Sequence, residues 1–150
     1  MKNIFSEEVT KELVSRVENL KIDTKPGWGK MSVDQMLAHV NVAYEMAYTD
    51  KHPKANPFLR FMLKTFVKKG VVNEVPYKKN TRTAPAFLIH DARNFKEEKK
   101  RLIDYLNKTH ELGESHFEGK ESPSFGAMTS TEWNNLFYKH LDHHLTQFGV

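Results

Sequence analysis

The chain has 150 residues, a formal net charge of +4 and no cysteine, which excludes disulfides, thiolate metal ligands, iron–sulfur clusters and cysteine nucleophiles. A length of this order suits one domain around one core, taken here as residues 1–150. A hydrophobic fraction of 39%, with ten Phe, five Tyr and two Trp, is enough to fill that core despite a mean hydropathy of -0.64.

No apolar run approaches the roughly 18 residues of a membrane span, and the opening "MKNIFSEEVTKELV" lacks the apolar stretch of a secretory signal. The expectation is a cytoplasmic protein without membrane partners. In chain order, Ser6 caps a helix over about residues 7 to 20, with Val9, Leu13, Val14, Val17 and Leu20 as its apolar stripe and Glu7 and Glu8 at its positive end. "KIDTKPGWGKM" breaks it, and Pro26, Gly27 and Gly29 predict an ordered turn in which Trp28 covers one end of the core. Ser32 and Gln35 form a capping box, and Val33, Met36, Leu37, Val40, Ala43, Tyr44 and Ala47 carry the second helix to about residue 48. Pro53 and Pro57 stop it.

A shorter helix is predicted over about 57 to 69, with Phe58, Phe61, Met62, Thr65 and Phe66 on one face and Lys64 and Lys68 on the other. Residues 70 to 90 carry two Pro and no helical period, so they read as a long crossover. Phe95, Leu102, Ile103, Tyr105 and Leu106 mark a helix over about 91 to 109, and "GESHFEGKESPSFGAM" a loop. Thr129 and Glu132 form a second capping box, opening a last helix that runs to Phe148, with Gly149 as its stop. No strand period or internal repeat is visible. Four long helices, one short helix and a long crossover predict an all-α fold, a four-helix bundle.

The last helix contains "KHLDHHLTQFG". At about 100° per residue, His140 and His144 lie only about 40° apart, one turn from each other. With Trp133 at zero, Leu136, Phe137 and Phe148 fall at roughly 300°, 40° and 60°, so the two imidazoles sit inside the apolar stripe. Asp142 falls on the solvent side. His143 lies at the edge of the stripe, which suits a pocket or outer position rather than a ligand. Two imidazoles stacked inward repel each other if charged and need several partners if neutral, and a shared metal answers both needs. His39 of the second helix, between Met36 and Ala43, can supply a third nitrogen if that helix packs near the last one. Three ligands plus an open position is the pattern of a catalytic ion.

"GWGKMSVDQMLAHV", followed far downstream by "SPSFGAMTSTEWNNLFYKHLDHHLTQFG", resembles the DinB-like superfamily, and within it a branch of unknown function that shares these two segments. The resemblance implies a four-helix bundle with a long crossover, often dimeric. It also implies a divalent metal held on one His of the second helix and the H-x-x-x-H of the last, which are His39, His140 and His144 here. Characterised relatives include metal-dependent transferases that join a low-molecular-weight thiol to an electrophile.

Basic residues concentrate in one segment. Between Arg60 and Arg82 stand seven basic residues and one acid, Glu74, and the rest of the chain carries -2. The Lys-rich face reads as solvated, and nucleic acid is not expected as a partner. Gly27 and Gly29 lack the third glycine and the strand of a nucleotide-binding turn. Glu45 and Asp142 fall on polar faces of the two ligand helices, which disfavours a carboxylate-rich di-iron site. Gln35, Gln147 and Trp28 join His143 as pocket candidates. The residues thus predict one divalent ion, zinc first, with nickel, iron or manganese also served by imidazole. The expected partner is a small-molecule substrate, and a homodimer is implied by the resemblance. The expected activity is thiol transfer, with metal-dependent hydrolysis as the alternative and a non-catalytic, metal-stapled bundle as the rival.

Overall fold

The computed structural model describes residues 1–150. Helix α1 spans Glu7–Asn19, and Ser6 Oγ accepts the Val9 N–H at its start. Helix α2, Val33–Tyr48, matches its predicted bounds, and the Ser32 N–H donates to Gln35 Oε1 at 3.2 Å. Helix α3, Pro57–Met62, runs through a π-helical segment, Leu63–Val67, into α4, Lys68–Val72. A 3-10 turn at Pro85–Phe87 interrupts the crossover that follows. Helix α5, Phe95–Phe117, is capped by Asn94, and α6, Ser130–Gln147, by Thr129. No helix is long and apolar enough to cross a membrane.

The architecture is the expected all-α bundle: α2 packs against α5 and α6, and α1 packs on the same two helices. Helix α5 begins at Phe95 rather than near residue 91, α4 runs two residues beyond 70 into the expected crossover, and two further features differ from expectation. Helix α5 extends eight residues past the predicted end, because Gly113 (φ +70°) absorbs a kink and lets Phe117 reach the core, where it is fully buried. The loop after it holds a short antiparallel ladder, β1 (Glu121–Ser122) with β2 (Gly126–Ala127), too short to show a two-residue period.

The core runs along the inner faces of the bundle helices, where Leu13, Val17, Met36, Leu37, Val40, Leu102, Leu106, Leu141 and Leu145 are all buried. A column of rings crosses the bundle at its centre. Phe137 of α6 stacks on Tyr44 of α2 (centroids 4.6 Å apart, planes at 1°), and Tyr44 stacks on Tyr105 of α5 at 5.6 Å. Phe117 and Trp133 meet Phe137 at 5.7 and 5.3 Å. These contacts lock α2 to α6 at a fixed height.

Two sequence expectations are corrected. Glu45 is buried, not solvated: its carboxylate receives Lys51 (3.1 Å), His52 (2.8 Å) and Arg101 (2.9 Å), which hold its pKa below the usual carboxylate range against the upward push of burial. Two cations, Lys51 and Arg101, and a hydrogen bond to the His52 ring explain why an acid tolerates that position. The second correction concerns the segment from Pro57 to Val72. It places no residue in the core, and Phe58, Phe61 and Phe66 are 75%, 62% and 70% exposed. Lys68 turns toward the bundle instead, pairing with Glu132 at 2.7 Å, while Leu63, Val71 and Val72 make the packed contact. Its amphipathic stripe is real, but it faces outward.

The ring column generates a stability prediction. Phe137→Ala removes a ring stacked on Tyr44 and edge-packed on Phe117, and should destabilise the fold by about 3–5 kcal/mol. Urea unfolding of the variant checks it, and a loss under about 1 kcal/mol would mean the column does not bind α2 to α6.

Candidate metal centre

Helix α2 and helix α6 run side by side below the ring column, which brings His39 opposite His140 and His144. One nitrogen from each ring lies within 4.8 Å of the others, with His39 and His144 buried and His140 partly accessible. The ring centroids are 4.8 Å apart for His39 and His140, 4.5 Å for His39 and His144, and 5.0 Å for His140 and His144. All three predicted ligands therefore converge.

Hydrogen bonds determine which nitrogen each ring presents. His39 Nδ1 lies 2.8 Å from the Phe87 carbonyl oxygen, which can only accept, so Nδ1 carries the proton and Nε2 keeps a lone pair. His144 Nδ1 lies 2.7 Å from Gln147 Oε1. The orientation of that amide follows from its other end, where Gln147 Nε2 donates to the Trp28 carbonyl oxygen at 2.6 Å. Trp28 thus determines that Oε1 faces His144, and His144 donates from Nδ1 and directs Nε2 inward. His140 Nε2 lies 2.8 Å from His39 Nε2, so one proton bridges the pair from His140 to His39. To ligate through Nε2, His140 would carry its proton on Nδ1 instead.

The residues fit a divalent ion. Three neutral imidazoles converge: His39 and His144 present lone pairs with tautomers set by an acceptor behind the ring, as metal-ligating histidines generally have, and His140 would present a third from its other tautomer. Around a tetrahedral ion with nitrogens at about 2.0 to 2.1 Å, neighbouring nitrogens stand about 3.3 Å apart, so the His39–His140 gap of 2.8 Å would open by about half an ångström and separations of up to 4.8 Å would close toward the same value, a side-chain adjustment. Burial, then the neighbouring rings, push His140 well below the ordinary imidazole range; the same causes bring His144 to about 3 and burial lowers His39. Rings that stay neutral are ready to ligate.

The "PGWG" turn is built around Gln147. Gly27 donates its N–H to the Gln147 backbone carbonyl at 2.7 Å, and a Cβ on Gly29 (φ +80°) would stand 2.7 Å from Gln147 Nε2. A side chain there would displace the amide that orients His144. Of the other pocket candidates, the Trp28 ring packs edge-on to His143 at 5.7 Å, and the His143 ring lies 5.1 Å from that of His144. His143 is thus beside the triad and not among its ligand atoms. Gln35 lies elsewhere: besides its capping bond, its Nε2 donates to the His90 carbonyl at 3.3 Å, tying the end of the crossover to the start of α2. Asp142 pairs with Arg16 at 2.7 Å, and the Glu45 cluster sits more than a turn beyond His39, so no carboxylate joins the triad.

Sequence reasoning missed Phe87, whose carbonyl sets His39 and whose ring packs on His39 and His140 at 5.4 and 5.5 Å. It works through its backbone, which leaves no trace in residue type. Tyr77 and Lys139 were missed as well. Lys139 is buried with its Nζ donating to the Gly70 and Asn73 carbonyls and to Asn73 Oδ1, and burial pushes its pKa down to about 8.

The acid stability of the metal-free protein follows from the depressed imidazoles. Below about pH 6.5 the unfolded chain binds protons that folded His39, His140 and His144 refuse, so stability falls with pH by at most about 1.4 kcal/mol per unit per histidine. For His144 the loss continues toward about pH 3. Melting in a chelator should drop steeply from pH 7 to pH 5, and a His140→Phe, His144→Phe double variant should flatten the profile; a flat wild-type profile would show the rings already charged in the fold.

Among curated proteins and among solved structures, nothing matches. One family model, described as "Protein of unknown function (DUF1569)", matches residues 6–149, which includes α1 through α6 and all three histidines. The chain belongs to the DUF1569 family of unknown function.

Proposed function

We propose that this chain is a divalent-metal-dependent enzyme of the DinB-like superfamily, cytoplasmic, which activates a small thiol for transfer to an electrophile. The observation that carries the reading is the convergence of three neutral imidazole nitrogens, within 4.8 Å of one another, on a site left partly accessible at His140. A bound ion, zinc first, would lower the pKa of a thiol or water in its open position and so provide a nucleophile near neutral pH. His39 and His144 hold their lone pairs inward, Phe87 and Gln147 keep their tautomers, and the surrounding rings limit water. Thiol transfer is preferred over hydrolysis on the DinB-like resemblance alone.

A structural staple is the rival. Against it stands the ring column, which already joins α2 to α6 without a metal. Protein purified without a histidine tag should carry about one divalent ion per chain, and His144→Ala should lose it. Gln147→Leu should weaken binding roughly 10–100-fold in chelator competition, through loss of the orienting bond. If the His144→Ala protein retains full occupancy, these are not the ligands. If chelation unfolds the wild type and no thiol adds to a chloronitroarene in the loaded form, the staple replaces the enzyme.

A second copy of the chain is the partner proposed for the outward face of α3. Phe58 and Phe61 of α3, with Phe66 of the π-helical segment that continues it, present about 400 Å² of apolar surface, and Leu59, Met62 and Val67 add to it, a patch about half the size of one side of a standard interface. Phe58→Asp with Phe66→Asp should halve the mass seen by light scattering while metal content is unchanged. A monomeric wild type would refute the dimer.

A further inference from the structure

A cavity of about 240 Å³ lies between the "PGWG" turn, the crossover and α6; none of the three triad histidines lines it, but His143 does, and its ring is 5.1 Å from that of His144. The cavity's walls are aromatic. Trp28 and Tyr77 both pack edge-on to His143, at 5.7 and 5.8 Å, and each carries a lysine over its ring: Lys79 Nζ is 4.2 Å from the Trp28 centroid and Lys139 Nζ 4.6 Å from that of Tyr77. Another cavity, about 310 Å³, lies past the C-terminal end of α2 and touches none of these residues.

Of the cations on the small cavity, the Met1 amino group pairs with Glu74 at 3.5 Å, whereas the two lysines have no such partner. Lys139 is only 3% exposed, and all its hydrogen-bond acceptors are neutral: two backbone carbonyls and an amide oxygen. Lys79 has no carboxylate partner and rests on a π face. The one acid in the lining, Asp142, is held by Arg16 at 2.7 Å. A buried cation without a counter-ion is costly unless something negative joins it. Aromatic rings alone soften that cost by about 0.5–2 kcal/mol.

The geometry points to this cavity as the subsite for an anionic tail, a carboxylate first, on the small molecule whose reactive end meets the triad. It rests on the metal-dependent thiol reading above and narrows its substrate to negatively charged thiols. Lys79 makes the direct contact, since its side chain is exposed and can swing from the Trp28 ring to the ligand. Lys139 supplies a fixed positive field from behind Tyr77. His143 stands between the subsite and His144, which makes it the wall along which the ligand's chain lies.

The test uses the full chain loaded with cobalt(II), whose visible absorption reports thiolate binding. The probes are ω-mercaptocarboxylates of three to seven carbons and the matching neutral ω-mercaptoamides. At the chain length that spans the two sites, the carboxylate should bind at least tenfold more tightly than its amide. Lys79→Gln should reduce that preference to twofold or less, and Lys78→Gln, outside the lining, should preserve it. Equal binding of acid and amide at every length overturns the anionic subsite while leaving the metal reading intact. A preference unaffected by Lys79→Gln overturns the assignment of Lys79. If neither probe alters the cobalt spectrum, the thiol reading itself fails and takes this inference with it.

Discussion

A carbonyl oxygen accepts hydrogen bonds and never donates them, and two such oxygens determine the chemistry of this protein's centre. The Trp28 oxygen forces the Gln147 amide to present Oε1 to His144, and the Phe87 oxygen takes the Nδ1 proton of His39. Each ring is left with an inward lone pair. Without those acceptors the same three histidines would lie at the same height with undefined tautomers, and imidazole presented by its N–H face does not bind metal.

The scaffold and the site answer to different forces. Leucines, valines and the Phe137–Tyr44–Tyr105 column bring α2, α5 and α6 into register by burial alone, so His39 reaches the last helix as a by-product of packing. The groups that tune it come from irregular chain: the "PGWG" turn reaches Gln147, and the crossover delivers Phe87 on one side and Tyr77 and Lys79 on the other. Rigid helices hold the position of the ligands, and loops decide their protonation and surroundings. Gly29 shows how tight the arrangement is, since a single added carbon would meet the amide.

Charge is segregated along the bundle. Near the C-terminal end of α2, Glu45 is matched by Lys51, His52 and Arg101. At the triad, burial holds the imidazoles neutral. Beside it, Lys79 and Lys139 face a cavity whose only acid belongs to Arg16. That order runs from neutralised, through uncharged, to uncompensated positive charge. Only the last of these environments leaves cations without an acid of their own, and it meets the triad at His143.

Periodicity and capping were legible because they are local: a hydroxyl or amide at a helix start and an apolar residue every three or four positions act within a few residues of themselves. The bundle, the bounds of α2, and the inward placement of His140 and His144 follow from these alone. The stop of α5 was misjudged because a kinked glycine mimics a helix end, and α3 was read by its stripe, which does not say whether a core lies beneath it. Glu45 looked solvated until partners from α5 and the following loop reached it. Residue type along the chain thus determined the helices and which imidazoles turn inward. Only the tertiary structure decided that His39 meets them, which nitrogens point at one another, and which backbone oxygens stand behind the rings, because those depend on chain segments 48 and 119 residues apart in sequence packing at contact distance.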